Sequence, residues 1–279
     1  MRLFLGSFFL ILFFKGSLLA QIDHYPLGGR ALGMANASLN LGDSWALFNN
    51  SAGITEVSQP EVFFAYDNRF GFSAFQTFGI GTVIPVPWGG GAGLSISRFG
   101  DNLYNETRIG LAYAYKLDMV SLGLKVNYLQ VSIQDLGSKG TVVLEFGGIA
   151  QIVPQLSFAG HIYNINQAKL NTISGEAEEI PTILKAGLLY QPVEAFLISA
   201  ETEKDVDLPA SFKLGLEYRI VNNLFLRTGI ETEPFISHFG IGFQPRNLSF
   251  DYALSSGGDL GISHHISARY RFGKSTQKQ

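Results

Sequence analysis

The sequence predicts an all-β protein, a 14-stranded antiparallel transmembrane β-barrel, on three observations. Apolar and polar side chains alternate along successive segments of the chain. These segments are about ten residues long, as a tilted strand must be to cross a bilayer, whereas soluble strands average about 5–6 residues. The links between the segments are alternately tight and longer, as in outer-membrane barrels.

The alternation is clearest in residues 211–220, SFKLGLEYRI, where Phe212 and Leu214 alternate with Ser211 and Lys213. Successive side chains of a strand point to opposite faces, so each such strand has one apolar face and one polar or small face. A soluble sandwich alternates in the same way, and the strand length therefore favours the barrel. The predicted strands are 61–67, 75–86, 90–99, 106–116, 120–132, 141–152, 155–165, 182–191, 194–203, 210–219, 223–231, 235–244, 247–254 and 262–272.

The links sort into two sets, of which the tight one would form the periplasmic turns. The tight links read PWGG, KLDM, VPQ, QPVE, RIVNN and QPRN. With both termini periplasmic, the longer links would be external, and 232–234 is a short exception. Pro85 and Pro87 are predicted either to interrupt the wall pairing or to mark a strand end, since proline cannot donate a ladder hydrogen bond.

The composition limits the function classes. Charged residues make up 15% of the chain, against about 25% in an average soluble domain. The formal net charge of −3 offers no basic stripe, so no nucleic-acid partner is predicted. The absence of cysteine excludes disulfides and thiolate chemistry. His264 and His265 are neighbours on a strand and point to opposite faces, so they cannot chelate one metal ion. The run Gly89–Gly93 lacks the lysine and helix of a phosphate loop, and no catalytic motif is present, so we predict no metal site, no cofactor and no enzyme activity.

Residues 1–20, MRLFLGSFFLILFFKGSLLA, are predicted to be a secretory signal peptide cleaved after Ala20. The alternative is a membrane anchor. Beyond residue 20, no apolar stretch is long enough to span a bilayer as a helix. An exported chain of positive mean hydropathy without such a helix is predicted to be a closed barrel in the outer membrane of a Gram-negative bacterium, in contact with its lipid.

Charges of both signs fall on the predicted inner face of the barrel. This mixture indicates either charge pairing between the wall and a plug or a weakly selective channel. The predicted inward-facing charges are Arg108, Lys125, Lys185, Lys213, Glu217, Arg227, Glu231, Asp251, Arg269 and Arg271.

Two terminal motifs resemble FadL-like barrels and the PorV/PorQ family of outer-membrane proteins. Residues 28–54, GGRALGMANASLNLGDSWALFNNSAGI, match the glycine- and alanine-rich segment that precedes the first strand in those families, with Ser51 where proline is usual. Residues 250–273, FDYALSSGGDLGISHHISARYRFG, match the closing hairpin of PorV/PorQ proteins, with His265 where arginine is common.

The resemblance implies an N-terminal hatch segment in the lumen, which we assign to residues 21–58. The barrel would follow over 59–272, with a polar tail over 273–279. The alternatives for the hatch are a short helix below the barrel or a disordered leader. The hatch residues predicted to matter are Arg30, Asn36, Asn49, Asn50 and Gly53. The side chains of Asn36, Asn40, Asn49 and Asn50 are predicted to form hydrogen bonds with inward-facing wall residues.

The resemblance also implies the function. Similarity to the PorV/PorQ family predicts an accessory protein of type IX secretion in the Bacteroidota, which would bind a translocon or secreted cargo through its external loops. The alternatives are a FadL-like channel for hydrophobic small molecules and a purely structural barrel. The residues predicted to contact a partner are Glu176, Glu178, Glu179, Asp259 and His264.

Overall fold

The computed structural model describes residues 26–171, 177–206, 208–257 and 261–273. The predicted signal peptide and most of the polar tail therefore lie outside the described residues. None of the described helices has the length and apolar character needed to cross a membrane. The strands are β1 Glu61–Asn68, β2 Gln76–Val86, β3 Gly90–Gly100, β4 Tyr104–Leu117, β5 Val120–Ile133, β6 Gly137–Val153, β7 Leu156–Tyr163, β8 Lys169–Asn171, β9 Ala177–Glu179, β10 Ile183–Val193, β11 Phe196–Asp205, β12 Ser211–Val221, β13 Leu224–Thr232, β14 Phe235–Phe243, β15 Leu248–Ser256 and β16 Ile262–Arg271.

Fourteen of these strands form one closed antiparallel barrel, which confirms the predicted fold class. β1 closes the ring by pairing with β16, and β7 pairs directly with β10. The remaining strands, β8 and β9, form a separate two-stranded hairpin within the link from β7 to β10. We call the two ends of the barrel the short-turn end, where β4 turns into β5, and the long-loop end, which carries the β8–β9 hairpin.

The link between β5 and β6 is shorter than the sequence predicts. The sequence predicts that the fifth strand ends at residue 132 and that the sixth begins at 141, because the residues between them form a long, polar link. In the structure the ladder continues to the pair Ile133 and Gly137. Ladder hydrogen bonds use only the backbone, so polar side chains and glycine can extend a strand beyond the apolar part of the wall.

Pro85 does not interrupt the wall. It pairs with Gly91, and the register from β2 to β3 runs without a shift from Thr77 to Val86. Pro85 therefore marks a strand end, one of the two alternatives predicted from the sequence, because β2 ends at Val86.

The outer face of the wall is apolar. Cross-strand partners form rows on this face, and each member of one such row is about half exposed. The row runs through Phe64, Ile80, Ile96, Ile109, Tyr128 and Val142. A continuous apolar band of this kind is typical of a barrel wall that faces lipid.

Candidate functional site

The N-terminal segment, residues 27–57, lies against the inner face of the wall. It contains two short helices, α1 Gly29–Gly33 and α2 Ala46–Asn49, and a 3₁₀ helix, Ser51–Glu56. Its first half contacts β13 to β16 through α1, and its second half contacts β3 to β6. Trp45 packs edge-on against the ring of Phe63, with their centroids 4.7 Å apart, in an apolar cluster shared with β1, β2 and β4. The segment thus reaches most of the circumference.

Arg30 joins the N-terminal segment to the wall. Its guanidinium donates from Nε and one Nη to the two carboxylate oxygens of Glu217, at 2.9 and 2.7 Å, and from the other Nη to Asp43 at 2.9 Å. Burial alone would lower the pKa of the Arg30 guanidinium, but the two carboxylates outweigh burial and raise it. Glu217 also accepts from Arg227, which binds Asp251, so one charge network spans the segment and three strands.

Asn50 and Gly53 lie where the two halves of the segment meet. The Asn50 amide donates to the Leu39 carbonyl oxygen at 2.9 Å and to the Gly148 carbonyl oxygen of β6 at 3.5 Å. Gly53 lies so close to the Leu41 carbonyl oxygen that a Cβ atom at position 53 would collide with it. Both residues therefore hold the segment together, and Asn50 also binds the wall.

Asn36 and Asn49 do not make the predicted side-chain bonds to the wall. Asn36 adopts a left-handed backbone with φ 57° and contributes backbone bonds to a turn. The side-chain oxygen of each is buried without a hydrogen-bond partner among the described residues. Of the four asparagines named from the sequence, Asn40 binds the wall together with Asn50, and its amide donates to Ser157 Oγ at 3.0 Å.

Charged side chains form pairs across the inner wall. Glu145 accepts from Asn127 at 2.6 Å and lies 3.7 Å from the Lys125 ammonium and 3.2 Å from His161. Three strands further around the barrel, one carboxylate, Glu203 of β11, binds two lysines at 3.0 and 2.6 Å. This pairing agrees with the mixture of positive and negative residues predicted for the inner face. Neither sign of charge dominates the lumen.

A group of apolar side chains is buried on one side of the lumen at the long-loop end. We call this group of buried residues the mouth cluster. The wall contributes inward-facing side chains of β5, β6, β7 and β10, and the link between β7 and β10 contributes two more from either side of the hairpin. The mouth cluster comprises Leu129, Val131, Val143, Tyr163 and Ile183 of the wall and Leu170 and Ile180 of the link.

Asn164 ties the two ends of the hairpin link together at its base. Its side-chain amide donates to the Ile180 carbonyl oxygen at 2.8 Å, and its side-chain oxygen accepts from the Ala168 amide at 2.7 Å. The asparagine has a left-handed backbone, φ 57°, which its residue type tolerates. Leu170 and Ile180 are thereby directed into the mouth cluster, and each is less than 5% exposed.

The predicted partner-contact residues are scattered. Glu179 is exposed, and the hydrogen bond from Lys169 across the hairpin lowers the pKa of its carboxyl group. Burial raises the pKa of the neighbouring Glu178. His264 lies on β16, facing outward, with Nδ1 2.8 Å from the Tyr252 hydroxyl. Glu176 and Asp259 lie outside the described residues. Among the described members, the structure brings only Glu178 and Glu179 together.

A cavity of about 460 Å³ lies at the short-turn end, below the N-terminal segment. The segment forms one side of it through Leu41, Gly53 and Thr55, and the turns after β4 and β6 form part of the rest. Between the segment and the paired charges, two further cavities hold only about 10 and 20 Å³. Space of that size accommodates about one water molecule in each.

The mouth cluster is the part of the site that sequence reasoning missed. The acidic residues of the link from β7 to β10 predict a solvated loop. That prediction gives no reason to expect Leu170 and Ile180 to be buried. A signal was nevertheless present in β5. Leu129 and Val131 are apolar on the face that is polar in the rest of that strand, at Lys125 and Asn127. A loss of alternation at one end of a barrel strand indicates a local apolar patch inside the lumen.

No family model and no curated protein matches the chain. Solved structures do match. A CymD monoaromatic hydrocarbon channel has a TM-score of 0.68 at 14% identity, with 89% of this chain and 98% of that chain covered. The Pseudomonas putida toluene transporter TodX has a TM-score of 0.66 at 12% identity, with 90% and 99% covered.

A Pseudomonas aeruginosa FadL homologue has a TM-score of 0.64 at 13% identity, with 88% of this chain and 98% of that chain covered. The chain has the FadL-like barrel fold. Sequence identities this low support a shared fold but not a shared ligand. The resemblance to FadL-like barrels is therefore supported at the level of architecture. A closer likeness to PorV/PorQ proteins has no support among these matches.

Proposed function

We propose that this chain is an outer-membrane barrel that binds and takes up hydrophobic small molecules at its long-loop end, the external side. The mouth cluster is the observation that carries the proposal. It forms an apolar patch at the long-loop end of the lumen that is separate from the apolar cluster between the N-terminal segment and the wall. The similar structures named as hydrocarbon channels and a toluene transporter support the same ligand class.

The hairpin link occupies the place that a ligand would take. Burial of one large aliphatic side chain contributes about 1.5–3 kcal/mol. Leu170 and Ile180 therefore stabilise the closed mouth by an amount that an apolar ligand of a few carbon atoms can replace. An exchange of one apolar group for another needs no compensation of buried charge in the mouth.

Photolabelling tests the proposal. A dodecanoic acid that carries a diazirine is added to outer membranes containing the chain and is photolysed, and labelled peptides are mapped by mass spectrometry. We expect saturable labelling of the mouth cluster that unlabelled dodecanoic acid or toluene suppresses. Labelling of the outer wall by probe dissolved in lipid does not saturate and serves as the internal reference.

A matched pair of variants sharpens the photolabelling. Val143→Asn puts an amide into the mouth cluster and is expected to abolish saturable labelling. Leu136→Asn changes an exposed residue in the turn between β5 and β6 and is expected to leave it unchanged. Both variants must first show the gel mobility of a folded barrel. Equal saturable labelling of the two folded variants contradicts the proposal.

A second candidate is the accessory role in type IX secretion. The two terminal motifs favour it, and so does the lumen, which the N-terminal segment and the paired charges fill below the mouth cluster. Gentle purification from native membranes separates the candidates. Stoichiometric secreted proteins or a large translocon, without a bound apolar molecule, would support the secretion role. A bound apolar molecule without protein partners would support uptake.

A further inference from the structure

The inner wall carries a belt of glycines against which the N-terminal segment packs. We define the glycine belt as the inward-facing glycines that touch this segment. In the first half of the segment, Met34 lies against two of them. A Cβ atom at Gly215 would lie 2.7 Å from Met34 Cβ, and one at Gly229 would lie 2.6 Å from the Met34 carbonyl carbon. Real Cβ atoms do not approach other heavy atoms so closely, so only glycine fits there.

The second half of the segment meets the belt in the same way on other strands. A Cβ atom at Gly93 of β3 would lie 2.7 Å from Leu47, and one at Gly91 would lie 2.8 Å from the Ile54 carbonyl oxygen. Gly123 of β5 lies in the same close contact with Ala52. The belt therefore follows the course of the segment around the barrel.

Polar contacts fix the segment independently of the belt. The buried Glu201 carboxylate of β11 accepts from the backbone amides of Ser38 and Leu39, at 3.0 and 3.1 Å. Ser267 of β16 accepts from the Gly29 amide at 2.9 Å, and the Arg30 guanidinium binds Glu217 of β12. Displacement of the segment would break these bonds, including the bonds to the Glu201 and Glu217 carboxylates, which belong to the stronger, charge-assisted class.

We propose that the N-terminal segment is a permanent core of the barrel and not a movable hatch. Hydrophobic molecules bind and leave the mouth cluster while this segment stays in place, so they do not pass through the lumen below it. The part of this inference that concerns ligands rests on the proposed function. The part that concerns the segment rests only on the glycine belt and on the polar contacts.

An engineered cross-link tests the inference, and the chain has no cysteine to interfere with it. Thr55→Cys with Ser121→Cys ties the second half of the segment to β5, where the two hydroxyl oxygens lie 3.0 Å apart. The first half is followed by hydrogen exchange instead, because wall positions next to it are glycines of the belt, where a cysteine side chain would not fit.

The double variant is expressed in a Gram-negative host that lacks a channel of this fold, and uptake of radiolabelled dodecanoic acid is measured. We expect equal uptake with the cross-link oxidised and reduced. Uptake that falls on oxidation and returns with reductant would overturn the inference. The single variant Thr55→Cys controls for the effect of oxidant alone.

Hydrogen exchange provides a readout that needs no ligand. We expect the Ser38 and Leu39 amides to exchange within about tenfold of the slowest amides in the wall, as members of one cooperative unit do. Exchange of these two amides many orders of magnitude faster than the wall would overturn the inference. Wild-type protein that takes up no probe, with this exchange pattern intact, would refute the proposed function and leave the permanent core standing.

Discussion

The hairpin link and the N-terminal segment both fill the lumen, and they do so with different chemistry. The link contributes two aliphatic side chains to the mouth cluster and is tied at its base by Asn164. The segment is held by a buried arginine, by backbone bonds to a wall carboxylate and by contacts that require glycine opposite. The comparison indicates that an apolar molecule can replace the hairpin link in the lumen. It cannot replace the N-terminal segment, which matches the wall in charge and shape.

The largest expected effect on stability comes from adding a side chain at a glycine of the glycine belt. Gly229→Val places side-chain atoms where the backbone of Met34 and Ala35 lies. We expect a loss of about 3 kcal/mol or more in the free energy of unfolding, because neighbouring backbone cannot relax as a flexible side chain can. Urea unfolding of the barrel in detergent, followed by gel mobility, measures it.

Gly160→Val is the matched control for the belt. Gly160 faces outward, and the nearest atom to a Cβ there, the Lys185 carbonyl oxygen, is 3.9 Å away. We expect this change to alter stability by less than about 1 kcal/mol. Equal effects of the two substitutions would mean that the belt does not hold the segment.

An intermediate effect is expected at Arg30. Arg30→Met leaves Asp43 without its guanidinium partner, and Glu217 keeps only the Arg227 guanidinium. Loss of one member of a buried ion pair typically costs about 3–5 kcal/mol, and the partial exposure of Arg30 and the remaining Arg227 partner put our expectation below the lower figure. Lys116→Met removes an ion pair with Glu56 that is nearly half exposed and should cost less than about 1 kcal/mol. Similar urea midpoints for the two variants would refute the special role of Arg30.

The smallest effect on the whole barrel is expected at Asn164. Asn164→Ala removes the two side-chain hydrogen bonds by which residue 164 holds the Ala168 amide and the Ile180 carbonyl oxygen. The hairpin should then be released, while the fourteen-stranded wall keeps its urea midpoint. Limited proteolysis within residues 165–182 should then become faster in the variant. The exposed Gln167→Ala in the same link is the control. Unchanged proteolysis in Asn164→Ala would show that the mouth cluster alone holds the hairpin.

Much of the fold could be predicted because a barrel in lipid has a simple repeat. Each strand must alternate, and each must be long enough to cross the bilayer, so the strand count and most boundaries follow from the pattern. The errors occur where the wall leaves the membrane. At residues 133–140 the side chains resemble a loop, while the backbone continues the ladder to Gly137.

The candidate site could be predicted only in part. Arg30 and Asn50 were identifiable because a charged or amide side chain in a buried segment needs a partner. The sequence does not distinguish the asparagines that bind the wall from those that do not. Asn40 and Asn50 bind the wall, whereas Asn36 forms a turn. The mouth cluster depends on a hairpin between distant strands, and no local pattern links Leu170 to Val143.

Hydrogen exchange with and without dodecanoic acid tests the contrast between the two fillings most directly. With the ligand, the account predicts faster exchange of the β8 and β9 amides, because the hairpin leaves the mouth cluster, and unchanged exchange of the Ser38 and Leu39 amides. Faster exchange in the N-terminal segment with an unchanged hairpin would contradict the account, because the segment would then be the part that moves.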